Sequence, residues 1–481
     1  MNNIELKRSQ QIVYDKLCHF VESDDERVFI LKGYAGTGKT TLMRFLVQEL
    51  NKKKKRYKLL ASTGRASKVL SNLSGSQATT IHGMIYSFKD LNQDLTNIDD
   101  KVEPSGQLLL MFEPTNIDYD TIPETVYIID EASMISDVVD KIVTQARFGT
   151  GRLLQELLHY DVRKGSKFVF IGDPCQLPPI HETFSPALSA RYFADAFGIK
   201  AEEETLTEII RQANDSSIIT ASKTIRSYWA HAPEDGSVYG NGRVWGKFPF
   251  KGCGDIKLHH EKGEMLNDYI SKIQNGEYDK AVYICRGNSS CFKMSMIVRR
   301  KLGFDMGHVQ KDDLLMVIQN NPLSGMMNGD MVKVIEVDGE TRSRASLTFR
   351  RIIVEELFTH RVVSQLLLED TVNQNVLNLT SDQQKALFVD FARRMKKKHV
   401  RQRSIEFRHA LYDDPYLNAL RCSYGYAITC HKAQGGEWDD VYVDVPRNIT
   451  LNPTKATYQW IYTAMTRSSK RLHVIDDFYM E

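Results

Sequence analysis

At 481 residues the chain is too long for one ordinary hydrophobic core, so two to four domains are expected. Its 42% hydrophobic and 26% charged residues suit a soluble globular protein, and no apolar run approaches membrane-spanning length. A net charge of only +2 excludes a global basic field, so any surface for nucleic acid must come from local clustering of the 63 Lys and Arg. Cys18, Cys175, Cys253, Cys285, Cys291, Cys422 and Cys430 are odd in number, scattered and free of any C-x-x-C pair. That pattern argues against a disulfide framework or a zinc site and for a reducing interior. The start, Met1 to Glu5, has no signal-peptide pattern.

In chain order, Leu6 to Phe20 has helical character, and its Gln10-Gln11 pair taken alone reads as solvated surface. Val28 to Leu31 reads as a short buried strand. Gly33-Tyr34-Ala35-Gly36-Thr37-Gly38-Lys39-Thr40 then matches G-x-x-x-x-G-K-[ST], a loop that cradles phosphates. Glycines let successive backbone N–H groups face phosphate oxygens, Lys39 brings a mobile positive charge, and the Thr40 hydroxyl can ligand Mg²⁺. Thr41 follows, and Leu42, Phe45, Leu46 and Leu50 recur at helical spacing. Strand, glycine-rich loop and helix in that order give the motif its proper context.

Lys52 to Arg56 is a basic run at a helix end, and Lys58 to Ala61 is a second strand. The turn Ser62-Thr63-Gly64-Arg65-Ala66-Ser67-Lys68 suits either a nucleic-acid phosphate or an ordinary helix cap. Thr80-Ile81-His82 is equally ambiguous alone. From Ser87 to Glu124 the pattern loosens into an insertion with a small hairpin or short helices, and Phe112 there reads more readily as minor core than as a wedge. Val126 to Ile129 is a third strand that ends in Asp130-Glu131, where ligands meet open α/β sheets. Asp130 suits Mg²⁺ held through water, and Glu131 can orient or deprotonate an attacking water. Lys167 to Ile171 opens into Gly172-Asp173-Pro174-Cys175-Gln176-Leu177-Pro178-Pro179, whose prolines fix where Gln176 points.

The second half begins loop-heavy between Gly236 and Gly254, then turns α/β with a strand at Ala281 to Cys285 and a helix from Ser290 to Lys301. Leu314 to Ser381 is β-rich, with turns expected at Asn328-Gly329 and Asp338-Gly339, and reads as a small inserted barrel. Arg393 to Arg403 carries seven formal positive charges in eleven residues, a solvated surface or a nucleic-acid backbone contact. Tyr426 to Thr429, Val441 to Asp444, a helix from Thr454 to Ala464 and a strand at Leu472 to Ile475 finish the chain.

These stretches in this order resemble the superfamily 1B helicases, in the branch that holds the RecD-like, Pif1-like and Dda-like enzymes. The resemblance rests on Gly33–Thr40, the Ser62–Lys68 turn, Thr80-Ile81-His82, Asp130-Glu131-Ala132-Ser133, the Gly172–Pro179 loop, the Arg211 segment, Asn328-Gly329-Asp330, Thr429-Cys430-His431-Lys432-Ala433-Gln434-Gly435 and Tyr462–Arg467. It implies two RecA-like P-loop NTPase domains of α/β class with a pin-bearing insertion and an SH3-like β-barrel insertion. The implied boundaries are domain 1A at 1–212 with the pin insertion at 87–124, domain 2A at 213–302 and 416–481, and domain 2B at 303–415.

By resemblance, Gln10 reads adenine, and Gly33, Ala35, Gly36, Thr37, Gly38, Lys39, Thr40 and Thr41 hold ATP, with Glu437 on the ribose. Thr40 and Asp130 serve Mg²⁺. Lys39, Glu131, Gln176 as γ-phosphate sensor, and the arginine fingers Arg211 and Arg467 form the catalytic set. Thr63, Arg65, His82, Phe112 as the pin, Thr429 and His431 fall on the DNA side. The expected activity is ATP-driven 5′→3′ movement on single-stranded DNA with strand separation. Forked duplex DNA and single-strand-binding or replication proteins are the expected partners of a monomer that is cytoplasmic, or nucleoid-associated in a prokaryote or phage-infected cell. A chain starting almost at the adenine-reading helix favours a compact, Dda-like layout. A protein-displacing translocase without strong unwinding and an ATP-gated nucleic-acid clamp stay open as alternatives. A small-molecule kinase would leave the paired arginines and the second half unexplained.

Overall fold

The structure, a computed structural model, describes residues 6–92, 109–139, 146–209, 216–373, 378–402 and 404–481. In the first lobe Val28 and Ile30 face one core with Ile129, Phe168 and Phe170, while Phe29 and Leu31 face the opposite core with Phe20, Leu42 and Val169. Strands buried on both faces need such continuous apolar runs, and a parallel sheet covered by helices results. Its order is Ala78–Thr80, Tyr57–Ala61, Val126–Asp130, Lys167–Gly172, Val28–Gly33 and Ala201–Leu206, every pair parallel. The register sets Lys32 beside Gly172 and Ala61 beside Asp130. The phosphate loop, the acidic pair and the Gly172–Pro179 loop therefore leave the sheet along one carboxyl edge.

The second lobe repeats the architecture with five parallel strands in the order Ile256–His259, Ser468–Ile475, Trp438–Val443, Ala281–Cys285 and Ile428–Thr429. Val282, Ile284, Val441 and Val443 pack against Trp460 and Ile461 of the helix Lys455–Met465, and Cys175 and Leu177 from the first lobe enter the same core. Two lobes, each built on a parallel sheet, thus share one apolar seam.

Inserted in the second lobe, after Ala281–Cys285 and before Ile428–Thr429, is an antiparallel sheet in the order Val362–Leu368, Leu347–Glu356, Met331–Arg344, Leu314–Val317 and Cys422–Tyr424. Its fifth strand comes from beyond residue 415, the expected end of the insertion. Helices Ser381–Lys397 and Ile405–Asp413 cover it through Leu387, Phe391, Phe407 and Leu411 on Phe349 and Leu368. The basic run falls partly on the end of the first of these helices, where Arg394 is tied to Asp390 and Asp414. Arg403 lies outside the described residues.

Asp338-Gly339 is no turn. It sits inside Met331–Arg344 at a register shift between Val337 and Thr341. The chain reverses at Ala345-Ser346, between the paired Arg344 and Leu347, with φ of 51° and 58°. Both centres of this two-residue turn are left-handed, a cost that Gly avoids. Ser346→Gly is expected to raise stability by about 0.5–1 kcal/mol, read as a higher thermal midpoint, whereas Ala345 packs on the helices and is better left alone.

A third small sheet joins Tyr86–Leu91, Leu110–Pro114 and Ala146–Phe148. Phe112 stacks on Phe148 with centroids 4.7 Å apart and meets Phe88 edge-on at 5.7 Å. Phe88 in turn meets Tyr412 at 5.8 Å, and Leu91 joins the core of the inserted sheet, so the two insertions touch. Among the described residues no helix is long and apolar enough to cross a membrane.

Candidate functional site at the seam of two lobes

Gly36 and Gly38 hold φ of +78° and +82°, which lets the phosphate loop curl tightly before the helix Lys39–Lys52. Gly33 cannot carry a side chain, because a Cβ there would lie 2.8 Å from Lys39 Cγ and Thr37 Oγ1. Lys39 Nζ donates to the carbonyls of Gly33 at 2.7 Å and Tyr34 at 3.1 Å, folded over the loop. Thr40 and Thr41 occupy the first turn of that helix. Gln10 is buried and donates to the Thr37 carbonyl at 3.3 Å, while its Oε1 accepts the Lys7 N–H at the start of the helix.

Asp130 ends its strand and accepts the Glu131 N–H at 2.9 Å. Burial first, then the neighbouring Glu131, pushes the Asp130 carboxyl up to about 6, against the pull of Lys39. Glu131 has φ 53°, a conformation costing a non-glycine residue on the order of 1 kcal/mol and concentrated at working sites. Burial also raises Asp173, which Lys39 and a tyrosine hydroxyl draw back down. Lys39 thus feels both aspartates. Hard oxygen donors at Thr40 and Asp130 beside an ammonium fit a magnesium–phosphate complex, since a divalent cation would offset the carboxylate's desolvation.

The tyrosine is Tyr462, a residue without an assigned role in the sequence reading. Its hydroxyl, fully buried, accepts the Ala35 N–H at 2.9 Å and donates to Asp173 Oδ2 at 2.8 Å. One side chain of the second lobe therefore holds the phosphate loop and the Gly172–Pro179 loop together. Gln459 Nε2 donates to the Gln176 carbonyl at 3.2 Å, and Thr463 Oγ1 accepts the Leu177 N–H at 2.9 Å. Gln434 adds a donation to the Leu177 carbonyl at 3.1 Å. The signal was present: Gln459, Tyr462 and Thr463 fall at i, i+3 and i+4, a polar stripe on an otherwise apolar helix. Gln176 itself is buried, with its Oε1 unpartnered among the described residues. Arg226 adds a guanidinium 4.0 Å above the Tyr34 ring, another contact of second-half residues on the loop.

Arg467 is buried, its Nε donating to the Thr463 carbonyl at 3.1 Å and Nη1 to Gly436 at 3.4 Å. Arg211, the other expected finger, lies outside the described residues. Glu437 is exposed next to Gly436.

The residues expected on the DNA side divide. Thr63 and Thr429 each cap a helix at the end of a strand, accepting the N–H of Ala66 at 3.2 Å and Lys432 at 3.4 Å, one in each lobe. Burial depresses His431, and it depresses His82 to about 4, where the His82 ring packs against Tyr86 and Phe148. Arg65 stacks 4.1 Å over Trp438, and burial lowers it to about 10. Its helix also docks on the insertion, with Lys68 2.6 Å from Asp330 and Met327 pressed against Gly64. Phe112 does not project as a wedge, for the aromatic stack with Phe148 and Phe88 holds it.

Two family models match the chain, an AAA domain over residues 5–233 and a UvrD-like helicase C-terminal domain over 424–475. Among curated proteins it is 25% identical to the uncharacterized protein R530 of Acanthamoeba polyphaga mimivirus, over 96% of this chain and 98% of that one. It is also 25% identical to the ATP-dependent DNA helicase dda of Enterobacteria phage T4, over 69% of this chain and 68% of the relative. A solved structure of Pif1 helicase from Bacteroides, in complex with ADP-AlF3 and single-stranded DNA, aligns over 99% of this chain and 93% of that one, at 18% identity and a TM-score of 0.46.

Proposed function

We propose, from the premise that the chain belongs to the RecD-like and Pif1-like branch of the superfamily 1 helicases, that it is an ATP-dependent DNA helicase moving 5′→3′ on single-stranded DNA and parting the duplex ahead. The observation that carries this reading is the Tyr462 hydroxyl, shared between the Ala35 N–H and Asp173. It ties the state of the phosphate loop to the position of the opposite lobe.

ATP would lie along Gly33 to Thr41 with Gln10 behind the loop, and Thr40 and Asp130 would hold Mg²⁺. Held there, the ion would supply positive charge against the phosphates. Lys39 would turn from the carbonyls of Gly33 and Tyr34 to the phosphates, Glu131 would orient the attacking water, and Gln176 would donate a side-chain amide N–H to the γ-phosphate. Arg467 and Arg211 would neutralise the transferring group. Once phosphate departs, contacts that favour the closed seam weaken and the lobes part, so nucleotide biases a two-state hinge. Thr63 and Thr429, one per lobe, would hold the strand alternately, a sequence-tolerant and salt-sensitive grip.

Forked duplexes bearing only a 5′ or only a 3′ single-stranded tail test fuel, activity and polarity together. Strand separation with ATP on the 5′-tailed fork alone is the expected result. DNA-stimulated hydrolysis with no separation on either fork would leave a translocase and overturn unwinding.

Tyr462→Phe removes one hydroxyl and keeps the ring. It leaves a buried carboxylate short of a donor, an expected stability loss of about 1–3 kcal/mol. DNA stimulation of ATP turnover should fall by about tenfold while basal turnover changes less, as measured by steady-state hydrolysis with and without a single strand. Equal loss of basal and stimulated rates would sink the coupling role.

A further inference from the structure

Two buried histidines of the second lobe stand outside everything proposed for the nucleotide. His259 closes the strand Ile256–His259, His473 lies on the neighbouring strand Ser468–Ile475, and both are fully buried. His259 Nε2 is 3.0 Å from His473 Nδ1. Asp268, on the helix Lys262–Gln274 laid over these strands, brings Oδ2 to 3.5 Å from the same Nδ1. All three donor atoms fall within 4.8 Å of one another.

We propose that His259, His473 and Asp268 form a structural site for a divalent transition metal, Zn²⁺ by the character of its donors, that pins the helix to the sheet. Two imidazoles and a carboxylate are a borderline-soft set, suited to Zn²⁺ over Mg²⁺ or Ca²⁺. In a tetrahedral site with bonds of about 2.0–2.1 Å, neighbouring ligand atoms lie about 3.3 Å apart; two of the three separations, 3.0 and 3.5 Å, bracket that value, and the third stays within 4.8 Å.

The hydrogen bonding around the pair fits a cation. His473 Nε2 faces Asp440 Oδ1 at 2.9 Å, so that nitrogen carries the proton and Nδ1 presents a lone pair. Without a cation, His259 Nε2–H must donate to that lone pair. Its buried Nδ1 is then left bare, unpartnered among the described residues, with Glu264 Oε1 facing it at 3.5 Å. A metal on Nε2 moves the proton to Nδ1, where Glu264 accepts it. Each histidine then has a carboxylate behind it, Glu264 or Asp440, the usual outer support of a metal ligand.

Three carboxylates, Asp268, Asp440 and Glu264, surround the pair against the two ammonium groups of Lys257 and Lys272, at 2.9 Å from Asp268 and 3.0 Å from Asp440. The balance is one negative charge in favour of a cation. Tyr442 stacks on His473 at 4.0 Å and donates to Asp268 Oδ2 at 2.7 Å, fixing both ligands, and the partly exposed Asp268 gives the way in. The scattered cysteines argued against a zinc site, an expectation drawn from thiols alone, and this site needs no thiol.

The test uses the purified full chain, free of nucleotide and stripped by chelator, titrated with Co²⁺ and with Zn²⁺. Expected are one equivalent bound at micromolar concentration, a tetrahedral Co²⁺ absorption without thiolate charge transfer, and a Zn²⁺-dependent rise in unfolding temperature. His473→Gln should lose all three, and so should the milder Asp268→Asn, which removes a partly exposed charge and leaves the buried pair intact. Asp130→Asn should keep them, which separates this site from the nucleotide's Mg²⁺. Binding that survives in Asp268→Asn overturns the proposal. So does a wild-type chain that takes up no metal and changes stability only with pH, the mark of a shared proton between the two rings.

Discussion

Lys39→Ala is expected to lower ATP hydrolysis by at least ~10³-fold while single-strand binding stays within a few-fold. The lysine ammonium rests on the carbonyls of Gly33 and Tyr34, at 2.7 and 3.1 Å. Neutral carbonyls carry no net charge to oppose its departure, whereas a phosphate brings full negative charge to the ammonium. The resting contacts therefore keep the charge at the loop mouth without locking it there. Alanine leaves the backbone N–H groups of the loop in place, so some nucleotide affinity survives, but the charge that would follow the departing phosphoryl group is gone. The stem runs along Gly33, and cutting it back breaks no direct ion pair, although Asp130 and Asp173 lose a nearby positive charge. The fold should hold. Hydrolysis measured against single-strand concentration, with equilibrium binding to a labelled strand, separates the effects. Joint loss of both activities would mark a misfolded chain and void the inference.

What the sequence made legible follows from how local each feature is. The phosphate loop, the Asp130-Glu131 pair and the Gly172–Pro179 loop each sit at the end of an apolar run, and parallel pairing along one edge then brings them together. Turn chemistry was less dependable. Asp338-Gly339 has the composition of a tight turn, yet the hairpin arm runs through it, and the reversal uses Ala345-Ser346, whose strain the helices on the inserted sheet support. A strand of three residues, such as Ala146–Phe148 or Cys422–Tyr424, carries too little pattern to be recognised alone.

Side chains whose surroundings come from distant parts of the chain were the least legible. Arg65 sits in a hydroxyl-rich, basic turn and reads as a phosphate contact. Only the fold sets Trp438 beneath it. Phe112 reads as either core or wedge, and Phe148, more than thirty residues downstream, decides for packing. Tyr462 lay within a quoted motif, but its two hydrogen-bond partners belong to loops more than 280 residues earlier. The His259–His473 pair depends likewise on two strands 214 residues apart. Spacing in the chain reports what shares a helix face or a strand end. It carries no information on what the opposite lobe supplies.

Arg467→Lys should cut kcat by ~10³-fold with the KM for ATP changed far less, because the guanidinium acts on charge that develops only as the phosphoryl group moves. Its anchorage makes the substitution non-conservative. Nε and Nη1 hold the carbonyls of Thr463 and Gly436, which fixes the plane of the group and leaves its remaining N–H donors free to meet phosphate oxygens. A lysine ammonium on a flexible stem can satisfy one such carbonyl or reach the phosphate, but it cannot hold both at a fixed angle. The same helix also holds the Gln176 loop through Gln459 and Thr463, so the closed seam sets the arginine and the amide side by side on one helix and the loop it grips. Arg65 lies near enough to feel the charge of Arg467, and an incoming γ-phosphate would relieve that repulsion, one more reason for the seam to close on ATP. Single-turnover hydrolysis isolates the chemical step from product release. A lysine variant that retains kcat within tenfold would remove Arg467 from the catalytic set, and the pairing of the two lobes over one nucleotide would then have to rest on Arg211 alone.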